Sequence, residues 1–406
     1  MVFCAASGRG RGPCSRRRLR SPRHCGLIPL TVLAQLDAGS MALSRMSATD
    51  RIEGRLRQPG KRQRLADFCG AIGVLPGLTS LRRALRRDLR ILAYHRVRDV
   101  EDAGIFDFDL NLISASPEQF REQMLLVRRH YDPMSFHDLI AAINTGRPLP
   151  AQPLIVTFDD GYEDNYSVAF PILRELGVPA TFFVSTGHID NGAPYVYDWL
   201  VHSLCRTTAA RLDVVELGID QALPAELAGR RELADELLFG LKALDACTQT
   251  AIISRLENAW NMPQPRTHAE CRPMTWDQLR EMRAAGMEIG SHGVSHRILA
   301  KLQPHEMVAE IRDSKQSLEH ELGVLAEVIS YPVGGSGAYD EAVIAAAKDA
   351  GYRMACNYLT GVNRIPSMPY HALRRLHVER EMDLAWFAAM TALPEVFAYG
   401  KRQHLS

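Results

Sequence analysis

Two neighbouring carboxylates, Asp159 and Asp160, follow the apolar run Leu154-Ile155-Val156-Thr157-Phe158 and precede Gly161. Two like charges side by side repel, and a cation between them removes that cost. A divalent metal is the usual answer. A second reading stays open on these residues alone: Asp-Asp-Gly before a helical run over 163–176 also suits a helix cap and its dipole. A further constellation is His292 and His296 in Ser291-His292-Gly293-Val294-Ser295-His296. Imidazoles four residues apart can meet one ion on a single turn or tight loop. In a chain with 14 histidines the spacing alone is weak, and its place directly after an apolar run gives it weight. His95, which closes Leu92-Ala93-Tyr94, and the stretch from Tyr331 to Gly335 also sit where apolar runs stop.

Such runs read as buried strands. Strands are expected at 89–97, 154–158, 179–185, 287–290, 328–331, 352–356 and 373–378. Helical stretches lie between them. Ser116-Pro117-Glu118 opens one, with proline in the first turn. A second runs from Phe136 to Asn144. A third runs from Asp164 to Leu176 and is ended by Gly177. Thr275-Trp276-Asp277-Gln278 is a capping-box pattern, and a longer helix follows from Pro304 to Leu322. Alternation of this kind predicts a parallel sheet or barrel, and about seven strands are counted against the usual eight. The polar candidates would then share the carboxyl ends of the strands, where parallel barrels hold their active sites.

Three segments stand apart. Residues 1–80 begin with seven arginines before the first acid, Asp37, interleaved with glycine, serine and proline. They are expected to be a disordered basic extension or an over-long reading frame with Met41 or Met46 as the start, in preference to a targeting segment. Residues 188–272 break the strand–helix rhythm and read as a mostly helical insertion that shapes access to the site. Residues 381–406 hold a last amphipathic helix and a tail.

The chain has 406 residues and a formal net charge of +1, which argues against general nucleic-acid binding. Eight scattered cysteines without CxxC spacing suit a reducing compartment. No run of about 18 apolar residues predicts a membrane-spanning helix. A cytoplasmic or membrane-peripheral location is expected. The basic stretch from Arg82 to Arg90 is read as a solvated helix face, with peripheral membrane contact as its alternative.

Thr157-Phe158-Asp159-Asp160-Gly161 and Ser291-His292-Gly293-Val294-Ser295-His296 together resemble the first two motifs of the polysaccharide deacetylase family (the NodB-homology domain, carbohydrate esterase family 4). The resemblance covers residues 89–380 less the insertion. It implies a distorted (β/α)7 barrel with that helical insertion. It makes Asp159 the general base and Asp160, His292 and His296 the ligands of a divalent metal, most simply Zn2+, with positions left open for water and substrate. Such an ion would polarise an acyl carbonyl and acidify a water. The backbone N–H of Val333 is implied as the oxyanion donor, and Tyr331 and Tyr162 as substrate contacts.

Two features depart from the common family pattern. Ser330 stands where an arginine usually orients the base; Arg374, Arg375 and Arg96 are the candidates to replace it, and the sequence does not choose among them. His377 is only a loose match to the general-acid histidine, whereas Tyr94-His95 resembles the N-terminal motif of the poly-N-acetylglucosamine deacetylase branch. His95 is therefore preferred as the acid, with His377 as the alternative. The implied reaction is metal-dependent removal of an N-acetyl group from an amino sugar of a bacterial surface glycan or its lipid-linked precursor. A deformylase acting on a lipid- or nucleotide-linked sugar and a carbohydrate-binding pseudo-enzyme are the alternatives.

Overall fold

The computed structural model describes residues 61–71, 77, 82 and 86–398. Seven strands build it: β1 (Asp88–Tyr94), β2 (Pro153–Phe158), β3 (Ala180–Val184), β4 (Glu288–Ser291), β5 (Val328–Ser330), β6 (Met354–Thr360) and β7 (Leu373–His377). Each pairs in parallel with the next, and β1 pairs with both β2 and β7, so the sheet closes on itself. Leu92 lies opposite Val156 on one side and Leu376 on the other. The protein is a closed (β/α)7 barrel with additional helices, the fold that the family resemblance implies and that the count of about seven strands agrees with.

Strands buried on both faces carry near-continuous apolar runs, and β2 is buried at every position. Its alternation still sorts the two faces. Leu154, Val156 and Phe158 pack outward in the large core shared with the surrounding helices, while Ile155 packs with Phe183, Cys356 and Leu373 in a second cluster. Phe136, Leu139 and Ile140 join that second cluster. Period-two geometry places Thr157 and Asp159 on the face of Ile155, and Arg375 on the face of Leu373. Gly290 is required in β4, because a Cβ there would stand 2.6 Å from the Phe183 ring.

The boundaries differ from the sequence expectation in places with clear causes. Helix Pro117–His130 has Ser116 and Gln119 as a reciprocal capping box, and Phe136–Thr145 ends in left-handed Gly146. The expected single helix over 164–176 is instead a π-helical turn, Asn165–Ala169, followed by α-helix Phe170–Leu176. Pro171 has no N–H for an α-helical ladder, and Phe170 N–H bonds back to the Asn165 carbonyl. Strand β6 runs on to Thr360 through a register shift against β7. The first strand stops at Tyr94, and Arg96–Val97 instead pairs with Ile113–Ala115.

Between β3 and β4 lie helices Val196–Arg206, Leu227–Ala243 and Ala246–Trp260 and the antiparallel ribbon Arg211–Val214 with Ile219–Ala222. They enclose their own apolar cluster, including Leu204, Leu212, Leu237, Leu241 and Ile252. Lys61–Ala71 is a helix packed on helix Leu384–Ala392, so the basic extension gives way to folded chain earlier than residue 80. Residues 1–60, Met41 and Met46 among them, and residues 399–406 lie outside the described residues. Among the described residues no helix is long and apolar enough to cross a membrane.

Candidate active site

The carboxyl ends of the strands frame a cleft of about 280 Å³ lined by His95, Asp159, Asp160, Tyr162, His292, His296 and Val333, together with Tyr195, Asp198 and Tyr358. Seven of the nine residues expected as base, acid, metal ligand, oxyanion donor or substrate contact therefore meet in one place. Three of the four non-glycine residues with positive φ among the described residues are here: Asp160 (73°), His296 (54°) and Val333 (63°). Non-glycine residues, and a β-branched one above all, avoid this region unless their surroundings hold them there. Asp160 and Gly161 (φ 77°) turn the chain sharply as it leaves β2, which brings both carboxylates into the cleft. At Gly161 an added Cβ would lie 2.8 Å from the Val184 side chain.

Asp159 is held by Arg375. The guanidinium is fully buried and donates from both Nη atoms to the two carboxylate oxygens, at 2.7 Å each. Its remaining donors go to the Asn357 carbonyl (2.8 Å), Ser330 Oγ (3.0 Å) and Thr157 Oγ1 (3.3 Å). A fork-on-fork pair fixes the carboxylate's plane as well as its charge. Burial pushes the Asp159 carboxyl up, yet the Arg375 charge, His292 and the hydrogen bonds outweigh it and hold it below the usual carboxylate range. Arg375 is thus the partner of Asp159. Arg96 is engaged elsewhere, with Asp164 (2.7 Å) and the Glu270 carbonyl (2.8 Å), and Arg374 donates to the Thr360 carbonyl.

Asp160, His292 and His296 form the second half of the site. Asp160 Oδ1 lies 3.4 Å from His292 Nε2 and 3.2 Å from His296 Nε2. One ligand atom from each residue lies within 4.8 Å of the others. Asp160 Oδ1 is buried with no hydrogen-bond partner, which is what an ion would correct. His292 Nδ1 donates to the Ser330 carbonyl at 2.7 Å, since a carbonyl can only accept, and this leaves Nε2 to face the cluster. Burial raises the Asp160 carboxyl, but the two imidazoles hold it well below the usual range. Burial alone would lower His292, and the Asp159 and Asp160 charges raise it instead. The donor set, one carboxylate and two imidazoles, fits a zinc-like ion.

The loop carrying the histidines is fixed from behind by Glu310, a buried carboxylate on helix Pro304–Leu322. It accepts from the N–H groups of Val294 (2.8 Å) and Ser295 (2.9 Å) and from the Ser295 hydroxyl. Tyr195 donates its hydroxyl to the Asp160 carbonyl and sets its ring edge-on to His296. Neither Glu310 nor Tyr195 was singled out from the sequence, because mid-helix acids and loop tyrosines carry no spacing signal of their own.

His95 and His377 occupy different ground. His95 lines the cleft, and its backbone is pinned by the Ser114 hydroxyl (3.0 Å) on its N–H and the Asn165 side chain (2.7 Å) on its carbonyl. His377 is buried behind Tyr358, ring stacked on ring at 3.8 Å, and does not line the cleft. The expectation for Tyr331 is corrected: its ring is buried and stacked on Tyr339, and its hydroxyl donates to the His371 carbonyl. It follows β5 in the phase that points away from the cleft. Tyr162 does line the cleft, with its hydroxyl committed to Asp198 at 2.6 Å and its ring under the Arg96 guanidinium.

The family model described as polysaccharide deacetylase matches residues 146–355. YxkH of Bacillus subtilis (strain 168) is 25% identical over 240 residues, 58% of this chain and 55% of YxkH. The poly-beta-1,6-N-acetyl-D-glucosamine N-deacetylase of Escherichia coli (strain K12) is 33% identical over 103 residues, 25% of this chain and 14% of that protein. The matched segments thus span about half of the first relative and a small part of the second. Among solved structures, the deacetylase PplD of Streptococcus pyogenes in complex with acetate superposes with a TM-score of 0.50 at 19% identity, over 76% of this chain and 99% of that one. That likeness concerns the fold. His95 and Arg375 lie outside the matched span, and the closed barrel returns both to the edge of the motif residues inside it. With its paired aspartates, its two histidines and its closed seven-stranded barrel, the chain belongs to the polysaccharide deacetylase family.

Proposed function

We propose that the protein is a metal-dependent hydrolase that removes the N-acetyl group from an amino sugar of a cell-surface glycan or its lipid-linked precursor. The observation that carries this reading is the division of labour between neighbouring aspartates. Asp159 is clamped by Arg375, whereas Asp160 presents an unpartnered oxygen to His292 and His296. A binding module has no need of an ionised base beside a ligand triad.

Asp160, His292 and His296 would hold the ion, which supplies Lewis acidity toward an acyl oxygen. Asp159 keeps its proton affinity low enough to stay ionised and accepts a proton from the attacking water. The water's oxygen bonds to the acyl carbon, and the carbonyl electron pair moves onto its oxygen. The Val333 N–H is the donor for that oxyanion, on a residue that lines the cleft in a left-handed backbone conformation. When the C–N bond breaks, its electrons leave with nitrogen, and an unprotonated amide anion is a very poor leaving group. His95 supplies that proton from the cleft wall. The products are acetate and a free amine. The carbohydrate named for the Escherichia coli relative supports an N-acetylglucosamine-type substrate.

The test is metal analysis of the purified protein together with acetate release from N-acetylglucosamine oligomers and lipid-linked amino sugars. Bound divalent metal and stoichiometric acetate are expected. Bound sugar without acetate release from any of them would replace the hydrolase with a carbohydrate-binding protein. Release of formate instead would move the reaction to deformylation.

A further inference from the structure

A second cavity, of about 170 Å³, adjoins the first on the far side of Tyr195, Tyr197 and His296, which line both. Its other walls come from helix Ala246–Trp260 and from the chain just after the metal-ligand loop, Ser295 to Lys301. The charge lining the two cavities differs. Asp109, Asp159, Asp160 and Asp198 face the first with one lysine, Lys242, whereas no carboxylate lines the second, and Arg297 and Lys301 both do. Arg297 has one acidic neighbour, Glu306 at 3.2 Å, in a half-exposed pair worth little in water. Lys301 has no ion-pair partner among the described residues. Gln249 and Thr250 add neutral polar groups, and the Tyr197 hydroxyl donates to Gln249 at 2.7 Å, which holds that ring upright between the cavities.

We propose that this second cavity is a subsite for an anionic substituent, phosphate or carboxylate, carried on the glycan next to the sugar being deacylated. The inference rests on the deacetylase reading and names its substrate class. A sugar in the reaction cleft against Tyr195 leaves the adjoining residue against Tyr197, beside two cations in a recess whose lining holds no carboxylate. Arginine offers a planar fork and lysine a mobile point charge, a pair suited to an oxyanion of either kind. An anion held by Arg297 and Lys301 lies on the far side of Tyr197 from the reacting sugar and so sets the register of the chain.

Calorimetry on the wild-type protein would compare three probes: the neutral trisaccharide of N-acetylglucosamine, the same trisaccharide carrying a phosphate ester, and one carrying a uronic acid. The inference expects an acidic probe to bind about tenfold tighter than the neutral one, the size of a single charge-assisted hydrogen bond. The two acidic probes separate phosphate from carboxylate. The advantage should shrink in salt and vanish in Arg297→Gln/Lys301→Gln, with neutral-probe affinity unchanged as the check that the cleft is intact. Equal affinity for all three probes, no binding at all, or an acid advantage that survives the double substitution would each overturn it. Acetate release is measured in parallel. An acid advantage without turnover removes the hydrolase and keeps the subsite, and turnover without the advantage does the reverse.

Discussion

Arg375→Met removes a fully buried guanidinium whose two Nη atoms reach Asp159 at 2.7 Å. The methionine fills part of the space but leaves the carboxylate inside the barrel without its main counter-charge, His292 remaining as the lesser one. Breaking a buried pair from one side costs about 3–5 kcal/mol, against a total stability of about 5–15 kcal/mol for a domain. Arg375→Lys is the companion variant: it keeps a positive charge and loses the fork. The pH dependence separates electrostatics from packing. In the wild type the Asp159 carboxyl is depressed, so it contributes stability that is present above its unfolded pKa and lost as pH falls through the folded one. Without Arg375 burial dominates and the carboxyl is raised. The native state then favours the protonated acid, and the variant loses stability as pH rises. The stability gap between wild type and Arg375→Met should therefore widen from pH 5 to pH 8 in urea unfolding. The acid limb of the rate profile should move to higher pH in the same variant. A gap of equal size at both pH values with an unmoved acid limb would show that Arg375 does not keep Asp159 ionised, and the assignment of base and partner would fall.

Three further outcomes are expected. His95→Ala should lower kcat by about 10²–10⁴, the range for a lost general acid, while His377→Ala should act mainly through stability; steady-state kinetics with thermal unfolding on both variants decide it. Glu310→Ala should weaken divalent-metal affinity by about 10–100-fold in competition with a chromophoric chelator, because the loop carrying His296 loses its anchor. Burial pushes the Asp198 carboxyl up to about 7, although the Tyr162 hydroxyl pulls it back. A raised native pKa costs stability as pH climbs from the ordinary carboxylate range through 7, so Asp198→Asn should gain stability over that window and gain none at pH 4, read from unfolding midpoints.

The barrel was legible in the sequence because strands buried on both faces leave unbroken apolar runs, and helices between them leave caps. Asp159, Asp160, His292 and His296 were legible because each pair sits where such a run stops. Arg374, Arg375 and Arg96 stay equivalent at the level of motifs, although strand phase separates two of them: Arg375 shares a face with Leu373, and Arg374 does not. Tyr331 misled because a motif position says nothing about which way a ring turns, and here a stack with Tyr339 decides it. Glu310 was beyond reach. Its partners are backbone N–H groups 15 and 16 residues earlier, which only the fold brings near.

The pairing of β1 with β7 gives the site a particular assembly history. The Asp159 carboxylate is translated long before the guanidinium that steadies it, with more than 200 residues between them. On the ribosome, a nascent chain with six of its seven strands made would carry the ligand triad but neither a supported base nor a closed wall beside β1. Pairings between such distant segments form slowly and late. Under the proposed function the polypeptide would acquire hydrolytic competence in one step, when the final stave is fitted.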